Sequence, residues 1–490
     1  MLDLALIRAE PARVKAALAR RGVGPEAVDA VTELDGRWTA RAEVREALRI
    51  RRRQISDEVA RRKADLTAGP DWDAGTFHSP DLVQAGREVA QELHAVEAEM
   101  ADLAAVRDEA LRALPNLPAT DVPDEARPAE PVPEPAAEPA IEPAAEAAGH
   151  ARPTAAPPWP KDFPPLAHRD LIEMLGLAQT AASAGRGFLV WRGQGARLVR
   201  GLVRFMLDVH TREGGCEEVL APSVAARAAL VGSAHLPLLE EKMYAVEPHA
   251  TDPATTSRDR EGAVGPDPSL ALGASQATPA GRSRGRLDHH LFLAPRAEPH
   301  LANLYAGTTL PGDRLPERLV AAGSAFRRTV GGHGSGKGGL LRLHEFPTVE
   351  VYTVCRPDQS EEELARAVGS AETILARLDV ECRRTLRPAP RLSHAAARTV
   401  DLQVWAPGTG RWLEVAAIST FTDYQARRTG TRYRDLGGRT RFVHTVGGAA
   451  VALPRLAAAI IENGQQADGT VRLPEALAAY VETDVLRAPE

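Results

Sequence analysis

Between Leu82 and Leu114 the apolar residues Val89, Leu93, Val96, Met100 and Leu103 recur at steps of four, three, four and three. That spacing is the seam of a coiled coil, and such a stripe must be covered by another helix. The chain offers one upstream, ending near Lys63, in which Leu34, Trp38, Leu48, Ile55 and Val59 fit the same repeat although arginines take several seam positions. Gly69-Pro-Asp-Trp-Asp-Ala-Gly75 supplies a turn between the two. An antiparallel helical hairpin is therefore expected, after a short helical start in residues 1–25 built on Leu2, Leu4, Ile7 and Val14. From Arg37 to Lys63 ten basic residues stand against four acidic ones, with Arg49, Arg51, Arg52 and Arg53 close together. A basic projecting arm suits a phosphate backbone; the plainer alternative is a solvated coiled-coil face.

Composition shifts divide the rest. Twelve prolines lie between Pro128 and Pro165, many among alternating Ala and Glu, which predicts an extended acidic linker without a core. Pro248 to Asp288 contains no Phe, Trp or Tyr and many Ser, Thr, Gly, Pro and Arg, the composition of a disordered insertion. Elsewhere helical and strand-like segments mix: Leu198–His210 and Leu453–Glu462 read as helices, Thr348–Val354 and Thr399–Trp405 as strands. The expected organisation is a helical domain with its arm over 1–117, a linker over 118–160, and an α+β catalytic-sized domain over 161–490 interrupted at 248–288.

The charge and cysteine counts narrow the function classes. A net charge of −6 excludes a wholly basic nucleic-acid binder, and no DNA partner is expected. No run approaches the roughly 18 apolar residues of a membrane span, and Met1–Pro11 lacks a signal-peptide pattern, so a cytoplasmic protein without a membrane partner is expected. Cys216, Cys355 and Cys382 are too scattered for a disulfide framework or a zinc site.

Gly331-Gly-His-Gly-Ser-Gly-Lys-Gly338 nearly matches a phosphate-binding loop. Gly338, however, replaces the hydroxyl residue the motif needs, and Leu340–Val354 looks like strand where a helix should follow. A glycine-rich hairpin loop is the better reading. Around it stand Phe326-Arg327, Leu340-Leu-Arg-Leu-His-Glu-Phe346 and Val349-Glu350-Val351. Later come Glu414, Asp423-Tyr-Gln-Ala-Arg-Arg428, Phe442-Val-His-Thr445 and Arg455. With the opening MLDLALIRAEP, LPNLP at 114–118 and Leu230-Val-Gly-Ser-Ala-His-Leu-Pro237, this series resembles the class II aminoacyl-tRNA synthetases, and within them the bacterial seryl-tRNA synthetases.

The resemblance implies a six- or seven-stranded antiparallel sheet flanked by helices, with ATP and Mg2+ as cofactors. It implies that Arg327 holds the α-phosphate and substrate carboxylate, that Arg342 lies along the phosphates, and that Phe346 stacks on adenine. Arg455 would grip the γ-phosphate end and Glu414 would hold magnesium. Arginine suits such clamps because its planar fork stays charged and binds phosphate oxygens in pairs. Glu217–Pro222 resembles the family's first motif, whose proline lies at a two-fold interface, so a homodimer is expected. No zinc is implied.

The amino-acid pocket departs from the family. The family's Thr-Ala-Glu triplet, which lies near the substrate ammonium, reads Arg296-Ala297-Glu298 here, and Glu350 matches the glutamate facing the serine side chain, so the resemblance implies that Glu298 and Glu350 hold the substrate's amino group and side chain. Thr329 stands in place of a glutamate beside adenine, Gly447 and Ala449 in place of an asparagine and a hydroxyl residue, and Ala417 in place of a serine. Losing polar partners for a hydroxyl should hurt serine selection. These departures lead to the expectation of a seryl-tRNA synthetase-like ligase that activates serine or a related amino acid as its adenylate and delivers it to a non-tRNA acceptor. Amide formation in specialised metabolism, such as antibiotic biosynthesis, would be such a use. Arg296 would then pair with an anionic group of substrate or acceptor. The alternatives are a genuine serine–tRNA ligase, for which the basic arm argues, and a non-catalytic tRNA- or protein-binding paralogue.

Overall fold

A computed structural model describes residues 1–67, 80–125, 130–131, 157–246, 291–328 and 340–489. The expected turn at 69–75, most of the linker, the insertion and the glycine loop lie outside the described residues, as does Thr329. The chain divides into two compact units, Met1–Pro118 and Ala119–Glu490.

In the first unit two short helices, α1 (Leu4–Ala9) and α2 (Pro11–Ala19), precede the long α3 (Pro25–Thr67) and α4 (Pro80–Ala113). Asp3 starts α1 by accepting a hydrogen bond from the Ala5 amide. The heptad residues of α4 are all buried, and Val89, Leu93, Val96 and Met100 form one cluster with Leu48, Trp38, Ala42 and Ile55 of α3. Ion pairs Arg41–Glu99, Arg49–Glu97 and Arg62–Asp81 run in opposite chain directions and so fix the antiparallel register. At the base of the pair it is Asp35, not the expected Leu34, that is buried, held by Arg8 and Arg107. Leu34 is half-buried.

The second unit centres on an eight-stranded sheet: β1 (Glu130–Pro131), β2 (Glu217–Glu218), β3 (Glu317–Phe326), β4 (Glu345–Cys355), β5 (Cys382–Leu386), β6 (Arg398–Ala406), β7 (Arg411–Thr422) and β8 (His444–Ala452). Their order is β1-β5-β6-β7-β8-β4-β3-β2. Every pair is antiparallel except β2–β3, which is parallel. The sheet thus exceeds the expected six or seven strands; its two edge pieces, β1 and β2, have two residues each, too short to show a period in the sequence. Residues 119–125 are not free linker: the Ala119 amide donates to the Ala397 carbonyl, Val122 is buried, and Asp121 pairs with Arg398.

Three helices, α5 (Gly193–Arg212), α6 (Ser360–Arg377) and α7 (Leu453–Gly464), supply apolar side chains to the sheet's main core. On β4 the pleat sends Val349 and Val351 into that core, while Phe346, Thr348 and Glu350 line a cavity instead. The three thiols sit against this unit's core as inert groups. Burial pushes Cys216 up to about 11 and Cys355 and Cys382 up to about 12. No helix among the described residues is long and apolar enough to cross a membrane.

Ile460, fully buried on α7, reports on the packing of that helix. Ile460→Ala should destabilise the second unit by about 2–4 kcal/mol through lost contacts and a residual cavity. Urea denaturation followed by tryptophan fluorescence checks this, since all six tryptophans but Trp38 and Trp72 belong to that unit.

Candidate active site

The sheet's register builds the site. Glu350 on β4 lies opposite Ala321 of β3 on one side and Ala449 of β8 on the other, and Ala449 lies opposite Ala417 of β7. One row across four strands therefore sets the two alanines beside the buried glutamate. Next to that row is a cavity of about 560 Å3. Arg296, Arg327, Arg342, Phe346, Glu350, Glu414 and Arg455, all anticipated from the sequence, line it, together with Ala417 and Ala449.

Arg327 follows directly on β3, its amide donating to the His344 carbonyl at 2.7 Å across the turn. Burial pulls its guanidinium below the ordinary arginine value, and Arg296, Arg455 and Arg342 push the same way. A site that gathers five arginines, Arg328 among them, and depresses one of them is suited to a multiply charged anion. Arg455 enters in the first turn of α7, immediately after β8 ends, where Pro454 suits the helix start. Its Nη1 donates to the Glu414 backbone carbonyl at 2.8 Å and stands 3.8 Å from Oε1 of the same residue.

Two groups near Glu414 escaped the sequence reading. Arg387 places Nη2 3.1 Å from Glu414 Oε2 and 2.6 Å from Asp401 Oδ1. Burial raises the Asp401 carboxyl to about 6, with Arg387 opposing that rise. Neither residue belongs to a motif spacing; only the fold brings β6 beside β7 and lays Arg387 across both. Among the described residues no group of three or more His, Cys, Asp or Glu could hold a metal. Glu414 nevertheless fits magnesium, which keeps several waters and is commonly bound through one or two carboxylates plus substrate phosphates. Its side chain is 41% exposed, and the cavity leaves room for phosphates.

The surroundings of Arg296 are more crowded than the sequence suggested. Arg296 sets Nη1 3.5 Å from Glu298 Oε2 and Nε 3.6 Å from Glu350 Oε1. Burial drives the Glu350 carboxyl up to about 7, with Arg296 opposing and Glu298 adding to the rise. Burial also works against the Arg296 charge, but Glu350 and Glu298 outweigh it and hold the guanidinium above its ordinary value. Gln425, fully buried within the segment 423–428, donates to Glu298 Oε1 at 2.8 Å and to the Ser233 carbonyl. Its own oxygen accepts from Tyr352 Oη and Thr445 Oγ1. Nothing in a neutral amide's sequence context marked it as a support for Glu298.

Gly447 needs a correction. It does not line the cavity, and a Cβ there would sit 2.8 Å from both the Val351 carbonyl oxygen and Tyr352 Cδ2. The absent asparagine therefore cannot be restored by one exchange without moving β4.

A profile described as "tRNA synthetase class II core domain (G, H, P, S and T)" matches residues 282–464, and one described as "Seryl-tRNA synthetase N-terminal domain" matches residues 1–118. A protein of Gemmatimonas aurantiaca named serine–tRNA ligase is 35% identical over 99% of this chain and 100% of its own length. One of the same name from Thermotoga maritima is 33% identical over 99% and 100%. Among solved structures, that of seryl-tRNA synthetase from Pyrococcus horikoshii with ATP superposes with a TM-score of 0.79 at 26% identity, covering both chains fully.

Glu350 carries a pH dependence of known sign. Its folded value lies above that of an unfolded glutamate, so the native state binds the extra proton between about pH 4.5 and 7 and stability falls as pH rises through that window. Relative to Glu350→Gln, the wild type should gain stability on acidification from pH 7 to pH 5, as read from paired urea midpoints.

Proposed function

The chain belongs to the seryl-tRNA synthetase family, and we propose that it charges serine onto tRNA. It is an ATP-dependent ligase of the aminoacyl-tRNA synthetase type. What carries the tRNA reading is that the likeness to serine–tRNA ligases runs through the helical arm as well as the catalytic unit. This moves the acceptor away from the small molecule expected from the pocket residues. Arg51, Arg52 and Arg53 are exposed on α3, where a phosphate backbone can reach them.

In the first half-reaction a serine carboxylate oxygen attacks the α-phosphorus of ATP and pyrophosphate leaves. Arg327, on the cavity wall, neutralises the α-phosphate and orients the carboxylate. Arg342 follows the phosphates outward, Phe346 offers a face to adenine, and Arg455 takes the γ-phosphate end. Fixed cations in a partly buried site stabilise the charge that builds on the phosphate without reorganising. Glu414 would hold magnesium, which supplies further charge neutralisation when bound. In the second half-reaction a ribose hydroxyl at the tRNA 3′ end attacks the adenylate carbonyl, the ester forms and AMP leaves. Leu220, 92% exposed beside Pro222, supports the expected homodimer, since a large apolar side chain left in water fits an interface. A cytoplasmic setting follows from these substrates.

Delivery to a non-tRNA acceptor remains the second reading, and the Arg296 bridge favours it, because a guanidinium already fills the place of a substrate cation. Two measurements separate them. Serine-dependent ATP–pyrophosphate exchange followed by acylation of serine tRNA is the expected result; exchange without acylation supports the second reading. Arg455→Ala should lower exchange about 10²–10³-fold, as loss of one preorganised charge contact does. The triple exchange Arg51→Glu, Arg52→Glu and Arg53→Glu should raise KM for tRNA at least tenfold and leave exchange unaffected, an effect of about that size for three reversed phosphate contacts.

A further inference from the structure

Glu298 and Glu350 each have one oxygen already committed. Glu298 Oε1 accepts from Gln425 at 2.8 Å, and Glu350 Oε2 accepts from the Glu298 backbone amide at 2.8 Å. Their remaining oxygens, Glu298 Oε2 and Glu350 Oε1, both face the guanidinium of Arg296. Two buried carboxylates thus leave one seat for one cation, and the chain itself fills it.

We infer that Arg296 is a specificity-determining residue that occupies the ammonium seat of the amino-acid pocket and must be displaced by the substrate's α-ammonium. The inference rests on the reading of this site as the serine-activating one. Its contacts suit a displaceable occupant. At 3.5 and 3.6 Å they are ion-pair distances, longer than charge-assisted hydrogen bonds. The side chain remains 37% exposed, whereas the glutamates beneath it are almost fully buried. It therefore has a route outward and they do not.

A tethered cation competes with free substrate at a high local concentration. The price falls on substrate binding, since the guanidinium has already left when the carboxylate reacts. Ala417 and Ala449 offer no hydrogen bond to the serine hydroxyl, so little else in the pocket offsets the competition. Carboxylic acids that lack an α-ammonium escape it altogether: they leave Arg296 in its seat and bind beside it.

The test uses the full-length protein with Arg296→Thr and Arg296→Lys, whose thermal unfolding is first compared with the wild type. Serine-dependent exchange gives KM and kcat, and calorimetric titration compares L-serine with 3-hydroxypropionate, which lacks the ammonium. Arg296→Thr should lower KM for serine about tenfold or more, with kcat changing much less, as expected when a ground-state competitor is removed. Arg296→Lys, which retains a cation, should stay near the wild-type KM. The wild type should distinguish the two acids poorly, and Arg296→Thr should prefer serine. An unchanged or raised KM in Arg296→Thr, with serine still activated, overturns this inference alone. A lowered KM without acylation of tRNA overturns the serine–tRNA ligase reading alone. Failure of every protein to bind or activate serine overturns both.

Discussion

A carboxylate buried in the middle of a sheet cannot stay charged without a positive partner, and the catalytic unit is arranged around that constraint. β4 carries it. Val349, Val351 and Cys355 face the apolar core while Phe346, Thr348 and Glu350 face the cavity, so Glu350 sits between Val349 and Val351 with the apolar core behind it. Desolvation of a charge at such a depth is worth several pKa units unless a cation or several donors compensate. Arg296 and the Glu298 backbone amide answer this need, Gln425 holds the Glu298 side chain, and Tyr352 and Thr445 in turn donate to Gln425. The adjoining arginine group has the opposite requirement, because five guanidiniums around one cavity repel one another. A single cavity thus holds a buried carboxylate bridged to Arg296 and, beside it, a group of guanidiniums of which Arg455 donates to Glu414.

Much of this arrangement was legible in the chain. The coiled-coil seam of α4 follows from five residues at regular steps, because helix periodicity is a local property. Arg327, Arg342, Phe346, Glu414 and Arg455 were picked out by resemblance to a family's motifs, and all five line one cavity. What escaped depends on tertiary proximity. Arg387 reaches Glu414 only because β6 and β7 are neighbours, and Gln425 reaches Glu298 from 127 residues away. The edge strands β1 and β2 are too short for any period. Gly447 misled in a different way: its sequence position pointed to the pocket, but its Cβ direction leads into Tyr352 and the Val351 carbonyl.

The arm depends on a different balance. Its apolar seam is narrow, and the flanking Arg–Glu pairs are largely exposed, so each contributes little to stability while fixing direction and register. Arg51, Arg52 and Arg53 are exposed and lie outside those pairs. One helix thus carries its packing residues and its exposed basic residues on different side chains.

The inertness of the three cysteines has a practical side. With thiols held near 11 and 12, thiolate is scarce at neutral pH, and maleimide or disulfide reagents should leave the native protein largely unmodified. A lone cysteine introduced on the exposed face of α3 would then be the preferred target for a fluorophore. Arm movement could be followed by energy transfer in the otherwise unaltered chain, with no background thiols to remove.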